Sequence, residues 1–143
     1  MAGIKRTAAD SWFSLYVRAR DNFTCQRCFK KFRAYEEGGD NRSLMGLDNA
    51  HMFTRGHNMT RFEPDNCLSL CYGDHSYMDA NYNEKRDLFI KKIGQKRFDE
   101  LEVMSKISYK GVKKDQKMIS DRFRVLFRQM LKDQRKVAFH NGV

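Results

Sequence analysis

A chain of 143 residues that is 41% hydrophobic fits one domain with a modest core, which a bound metal would strengthen. No apolar run approaches the ~20 residues of a membrane span, and the opening MAGIKRTAAD lacks the apolar centre of a signal peptide, so a cytoplasmic, membrane-free protein with reduced thiols is expected. The net charge of +10 lies mostly after residue 75, where 17 basic residues face 9 acidic ones against 11 and 9 before it, which suits a phosphate backbone or a plain solubilising surface.

Residues 1–7 read as a short basic tail. Thr7 or Asp10 can cap a helix with its body from Ser11 to Arg20. Trp12, Phe13, Tyr16 and Val17 give that helix one apolar face, and Asp21-Asn22 ends it. Cys25-Gln26-Arg27-Cys28 follows. Two residues between cysteines let both sulfurs point at one ion, so a zinc knuckle is expected. The competing redox reading needs a strand before the pair and a helix after it, and here a helix comes first. Ala34 to Ser43 contains Gly38-Gly39-Asp40-Asn41 and reads as a surface loop.

Leu44 to Phe53 is expected to be a strand, Thr54 to Pro64 a loop, and Cys67 to Cys71 a second strand. A short helix starts at Tyr72 and runs to Tyr82. A further helix from Glu84 to Ile93 is closed by Gly94. Another spans Lys96 to Ile107. A basic linker, Lys110 to Lys114, leads to the longest helix, Asp115 to Lys136. Its apolar stripe is Ile119, Phe123, Leu126, Phe127, Met130 and Leu131. Arg122, Arg124, Arg128 and Lys132 decorate its other faces and are candidates for DNA contact. Val137 to Val143 reads as a frayed tail, and His140 in it as uninvolved.

Three of the four histidines lie between Leu47 and Tyr77. His51 ends a strand, so its imidazole can project into a groove, and a neutral imidazole suits a general base. His75 opens a helix and can face His51 across the hairpin, holding a divalent ion. Asn66, in a turn, can tie the loop to itself and fix the angle of His51. Arg61 can clamp a phosphate oxygen as a fork. Arg55 and His57 either contact a flanking phosphate or are loop surface.

This pattern resembles the HNH endonucleases, with His51, Asn66 and His75 as the three letters. Members with a zinc knuckle carry an N-x4-C-x2-C-[HN] block; here it reads Asn66-x4-Cys71-x2-Asp74-His75. More narrowly, L-x-x-x-H-x-F, R-F-x-P-D-N and C-x-x-x-H, then a helix ending near Ile93-Gly94, are similar to the NinG/Rap phage recombination nucleases. The likeness covers about Cys25 to Met104. It implies an α+β single domain over 1–143, with a ββα-metal (His-Me finger) core and zinc knuckle at 23–82. An N-terminal helix (1–22), a helical extension (83–109) and a long basic helix (115–136) flank that core. It implies His51 as general base, His75 as ligand of a catalytic Mg²⁺ or Mn²⁺, and Asn66 as the loop-fixing residue. Cys25, Cys28 and Cys71 become ligands of a structural Zn²⁺.

Two departures stand out. Asp74 occupies the place of the fourth zinc cysteine; a carboxylate oxygen can bind zinc, with Cys67 as the alternative ligand. Ala50 stands where many members place a metal ligand, leaving Asp48 or His57 to assist His75.

The implied function is a metal-dependent DNA endonuclease that nicks branched or four-way junction DNA in phage recombination, in the host cytoplasm if phage-encoded. A non-catalytic zinc-knuckle module that binds nucleic acid is the alternative. A third reading is a partner-binding protein whose long helix dimerises, and paired cuts at a junction would also call for a homodimer.

Overall fold

A computed structural model describes residues 4–109 and 112–140. Lys110 and Gly111, the centre of the expected basic linker, lie outside the described residues. The described elements are α1 (Ala8–Arg20), β1 (Leu47–His51), β2 (Cys67–Cys71), α2 (Tyr72–Ala80), α3 (Tyr82–Ile93), α4 (Gln95–Ser105) and α5 (Val112–His140). The fold is a mixture of five helices and one two-stranded antiparallel sheet.

Thr7 and Asp10 share the work of starting α1. The Thr7 hydroxyl accepts from the Asp10 backbone at 3.3 Å, and the Asp10 carboxylate accepts from the Thr7 backbone at 2.8 Å. This is a capping box, which satisfies two otherwise orphaned donors. Phe13 and Val17, one helical turn apart, bury their side chains on the same face.

After α1 the chain folds back through Asn22 and Phe23, both at positive φ, into a small hairpin with one bridge, Thr24 to Lys31. The Gln26 backbone donates to the Ser69 carbonyl at 2.8 Å, which fastens this knuckle to β2.

β1 pairs with β2 in the register Leu47 to Cys71 through His51 to Cys67. The first strand is shorter than expected at both ends. Arg42–Gly46 forms a turn of 3-10 helix before it. Past His51 the Phe53 backbone bonds the Asn66 side chain instead of a strand partner. β2 has the expected bounds and is buried on both faces: Cys67 meets Phe13, Val17 and Phe123, while Leu68 meets Phe89 and Phe98.

Gly94, at φ +87°, lets α3 turn into α4 without the steric penalty a side chain would meet there. α5 runs further than expected at both ends, so Val137 to His140 is helical rather than a frayed tail. Its Phe123 packs on Phe13 at 4.8 Å between ring centroids, and its Phe127 on Trp12 at 6.2 Å. Phe123, Phe127 and Leu131 are buried within this one chain. In the stripe read as a dimer seam, the part formed by Phe123, Phe127 and Leu131 is therefore covered within the chain, chiefly by α1, while Leu126 stays exposed. No helix among the described residues is long and apolar enough to cross a membrane.

Candidate active site and candidate metal centre

The β1–β2 hairpin and the start of α2 meet in a cleft of about 950 Å³. Asp48, His51, His75, Asp79 and Lys85 all line it. Arg6, Arg18 and Arg55 contribute the cations on its other wall.

His51 sits at the last position of β1, half-buried against the Phe13 ring. Its Nε2 lies 3.2 Å from the Arg61 carbonyl oxygen. A carbonyl can only accept, so Nε2 carries the proton and Nδ1 of the neutral ring keeps a free lone pair. Burial holds the imidazole far below its usual range, at about 4; the Arg61 carbonyl pulls the other way, and nearby Arg55 and Lys85 add to the depression. The ring is therefore neutral at pH 7, as a base must be.

The loop that carries Arg61 is locked by Asn66, which is fully buried. Asn66 Oδ1 accepts from the Phe53 backbone at 2.9 Å. Its Nδ2 donates to the carbonyls of Phe53 at 2.9 Å and Thr60 at 3.1 Å. The expected loop tie is present, and it acts on His51 through the neighbouring Arg61 carbonyl.

Arg61 itself differs from expectation. Its fork is 6% exposed and engages Asp10, with Nη2 to Oδ2 at 2.6 Å and Nε to Oδ1 at 3.1 Å. Such a buried fork is a structural pair, not a free phosphate clamp. Burial raises the Asp10 carboxyl, but the bonds from Arg61 and Thr7 outweigh it and hold the group below its usual range.

His75 lies in the first turn of α2, half-buried. Nδ1 is 2.9 Å from Asp48 Oδ2, and Nε2 is 3.4 Å from Asp79 Oδ2. Asp79 is in turn held by the buried Lys85 Nζ at 2.8 Å. A carboxylate can only accept, so at 2.9 Å Nδ1 donates to Asp48 and the ring is held between two carboxylates.

His57 is not at the cleft. It is exposed, and its Nδ1 donates to the Ser105 carbonyl at 3.0 Å, tying the loop to α4. Among the α5 cations, Arg124 pairs with Asp121 at 3.2 Å and Arg128 with Glu37 at 2.9 Å. Arg128 also stacks over Trp12. Arg122 and Lys132 are exposed.

Arg18, Asp79 and Lys85 were not singled out from the sequence. Lys85 carried a signal: it stands one turn before Phe89 on the buried side of α3. Burial lowers the Arg18 guanidinium to about 10, Arg6 adds to this and Asp48 opposes it, so it stays charged at pH 7.

Behind the first turn of α2 lies a second cluster. One donor atom each from Cys25, Cys28, Cys71 and Asp74 falls within 4.8 Å of the others. Cys25 and Cys71 donate to Asp74 Oδ2 at 3.2 and 3.3 Å, and the Cys28 and Cys71 sulfurs are 3.8 Å apart. Two thiolates on a tetrahedral Zn²⁺ with bonds of about 2.3 Å are about 3.8 Å apart. The four residues are close enough to bind a metal and are compatible with structural zinc. The other Asp74 oxygen, Oδ1, accepts from Arg27, which also lies over the Tyr77 ring. Burial raises the Asp74 carboxyl, but bonds from Cys28, Cys25, Arg27 and Cys71 outweigh it and bring it to about 2. The Lys30 backbone pulls the Cys28 thiol down, yet burial and the shared contacts win and push it up to about 12. A divalent cation reverses that second effect, since a coordinating thiol loses its proton.

Cys67 is not part of this cluster. It is a fully buried core residue paired across the sheet with His51. Four strand residues span about 13 Å, too far for Cys67 and Cys71 to share an ion.

Comparison with family models, with curated proteins and with solved structures gave no match to this chain.

Proposed function

We propose that the protein is a metal-dependent DNA endonuclease of the HNH type, with a ββα-metal core, acting on branched or four-way junction DNA. The observation that carries this reading is the His51 contact with the Arg61 carbonyl. It leaves Nδ1 as a base in a cleft that also holds the His75–Asp48 pair.

In this reading His51 Nδ1 takes a proton from water, and the resulting hydroxide attacks the phosphorus in line. Asn66 keeps the imidazole in place through the loop. Arg18, with Arg6 and Arg55, orients the phosphate in place of Arg61. Asp48 and His75 would hold Mg²⁺ or Mn²⁺, which supplies positive charge for the departing 3′ oxygen. Asp79 fixes the His75 ring. Cys25, Cys28, Cys71 and Asp74 hold the structural Zn²⁺ that braces α2 behind the cleft. The exposed Arg122 and Lys132 extend the basic surface along α5.

The test is cleavage of linear, flapped and four-way DNA with Mg²⁺ or Mn²⁺. His51→Ala should keep DNA binding and lose cleavage, and the products should end in 5′-phosphate and 3′-hydroxyl. Absence of cleavage by the wild type with either metal, with binding intact, favours the alternative of a non-catalytic zinc-knuckle module. The exposed basic face of the knuckle supports binding in either case. Paired cuts require two protomers, and the homodimer we propose for them uses a surface other than the Phe123–Phe127 stripe.

A further inference from the structure

Phe29 is the residue that follows the second knuckle cysteine. Its backbone amide closes the turn on the Cys25 carbonyl at 2.9 Å, and the turn holds it at φ +63°. Glycine adopts that conformation freely, whereas a bulky side chain there is a conformational outlier. The chain carries phenylalanine nonetheless, and leaves the residue 66% exposed. A ring that is strained in place and does not enter the core contributes little to folding.

Its surroundings are cationic. Residues 22–35 contain Arg27, Lys30, Lys31 and Arg33 and no acidic residue. Lys30, Lys31 and Arg33 are exposed. From α3, the exposed Lys92 reaches over the Phe29 ring at 5.6 Å and bonds Gln26 Oε1 at 3.2 Å. Lys91 is exposed beside it. A partner that suits this tip has a flat apolar face and negative charge within a few ångströms of it. A nucleotide has both, but in a duplex the faces of its base are covered by its neighbours. An unpaired nucleotide presents them.

We infer that the knuckle tip is a single-strand DNA contact, in which Phe29 stacks on an unpaired base while Lys30, Lys31 and Lys92 hold the flanking phosphates. Asp74 of the cysteine cluster is followed directly by His75 of the cleft, so the cluster that carries the tip adjoins the cleft through one turn of α2. A strand splayed at a branch and gripped at the tip lies beside the cleft. This deepens the proposed function by giving a reason for branch selectivity, and it rests on that reading for the choice of DNA over RNA.

The experiment compares Phe29→Gly, Phe29→Leu and wild type by fluorescence anisotropy on a labelled dT20 strand and a 20-bp duplex. Phe29→Gly should keep zinc content and melt no lower than wild type, because glycine fits the turn. It should bind dT20 about 5- to 100-fold more weakly, with a much smaller change on the duplex. Phe29→Leu, which keeps apolar bulk without the π face, should lose nearly as much. Phe29→Trp should retain affinity and show quenching of its indole by dT20. Unchanged dT20 affinity in Phe29→Gly, or equal losses on strand and duplex, overturns the inference. A fall in melting temperature in Phe29→Gly overturns the claim that the ring is dispensable for folding. Tighter binding to oligouridylate than to dT20 overturns the assignment to DNA. Because this readout is binding, it stands apart from cleavage: a wild type that binds dT20 through Phe29 but cuts nothing defeats the nuclease reading alone.

Discussion

The side-chain amide of Asn66 bonds both the N–H and the C=O of Phe53, as a strand partner would. β1 therefore ends at His51, and the chain turns into the loop whose Arg61 carbonyl holds the imidazole. Asn66→Ala leaves the Phe53 N–H, the Phe53 carbonyl and the Thr60 carbonyl without partners in a buried place. The expected cost is about 2–3 kcal/mol, read as a lower melting temperature, with cleavage lost and zinc content unchanged. Asn66→Asp keeps the acceptor but sets a carboxylate against two carbonyls, so it should be at least as damaging. An Asn66→Ala protein with wild-type cleavage would remove the loop from the mechanism.

Arg61 and Asp10 connect the start of α1 to the same carbonyl. As a phosphate clamp, Arg61 would be replaceable without harm to the fold. As a buried pair, loss of either partner strands a charge and costs about 3–5 kcal/mol. Arg61→Met and Asp10→Leu should each destabilise strongly, and the double variant should cost clearly less than the two singles combined. Asp10→Leu also removes the Thr7 cap, so the double variant should remain about 1 kcal/mol below wild type. Strict additivity in denaturant melts would return Arg61 to the phosphate.

The pair shows where reading along the chain stops. β2 and the Cys25-x-x-Cys28 turn are local and follow from a short period or a fixed spacing, whereas joining Cys71 and Asp74 to that pair, and His51, Asn66 and His75 to one another, rests on the resemblance to the HNH pattern. Cys67 could be set aside only once the strand's rise separated it from Cys71. Arg61 reads as a free fork until α1, 51 residues earlier, supplies Asp10. The amphipathic stripe of α5 says that something covers it, and only the tertiary fold says that α1 does. Arg18, Asp79 and Lys85 reach the cleft from three separate helices, which no spacing announces.

Acid should find His51 first. Its folded pKa is about 4, against 6.5 for a free imidazole, because burial disfavours the charged form. Between those values the unfolded chain takes up a proton that the folded chain refuses, so stability falls as pH drops from 6.5 towards 4. Two to three pKa units correspond to roughly 3 kcal/mol. Above pH 6.5 both states are neutral and the effect vanishes. His51→Gln should flatten this window in melts from pH 7.5 to 4. A parallel pH profile in the variant would mean that the ring is not buried as described.

Zinc removal tests the knuckle. The cluster links residues 25–28 to the start of α2, and its closure stabilises the fold in proportion to metal affinity. Cys25→Ser, or a strong chelator, should lower the melting temperature by well over 10 °C. One zinc per chain should be lost on denaturation. Asp74→Cys should hold zinc more tightly than wild type, as a softer donor replaces the carboxylate. An unchanged melting temperature in Cys25→Ser would end the structural-zinc reading.

In the proposed nuclease Asp79 would set the His75 ring. With a metal in place of the Nδ1 proton that now bonds Asp48, Nε2 would donate to Asp79, 3.4 Å away, and the buried Lys85 holds Asp79 in turn. Partners of this kind behind a metal-binding histidine commonly change affinity by about 10- to 100-fold when removed. Asp79→Asn can still accept through its amide oxygen, but it loses the charge that balances Lys85 and raises the basicity of His75. Mn²⁺ affinity, followed by the spectrum of the free ion or by calorimetry, should fall about 10-fold in Asp79→Asn and further in Asp79→Ala, while Asp48→Asn abolishes it. Lys85→Met should weaken binding less than Asp79→Ala, since it acts only by freeing the carboxylate. Should Asp79→Ala bind Mn²⁺ as tightly as wild type while Asp48→Asn does not, the cleft keeps its metal and Asp79 loses its role in placing it.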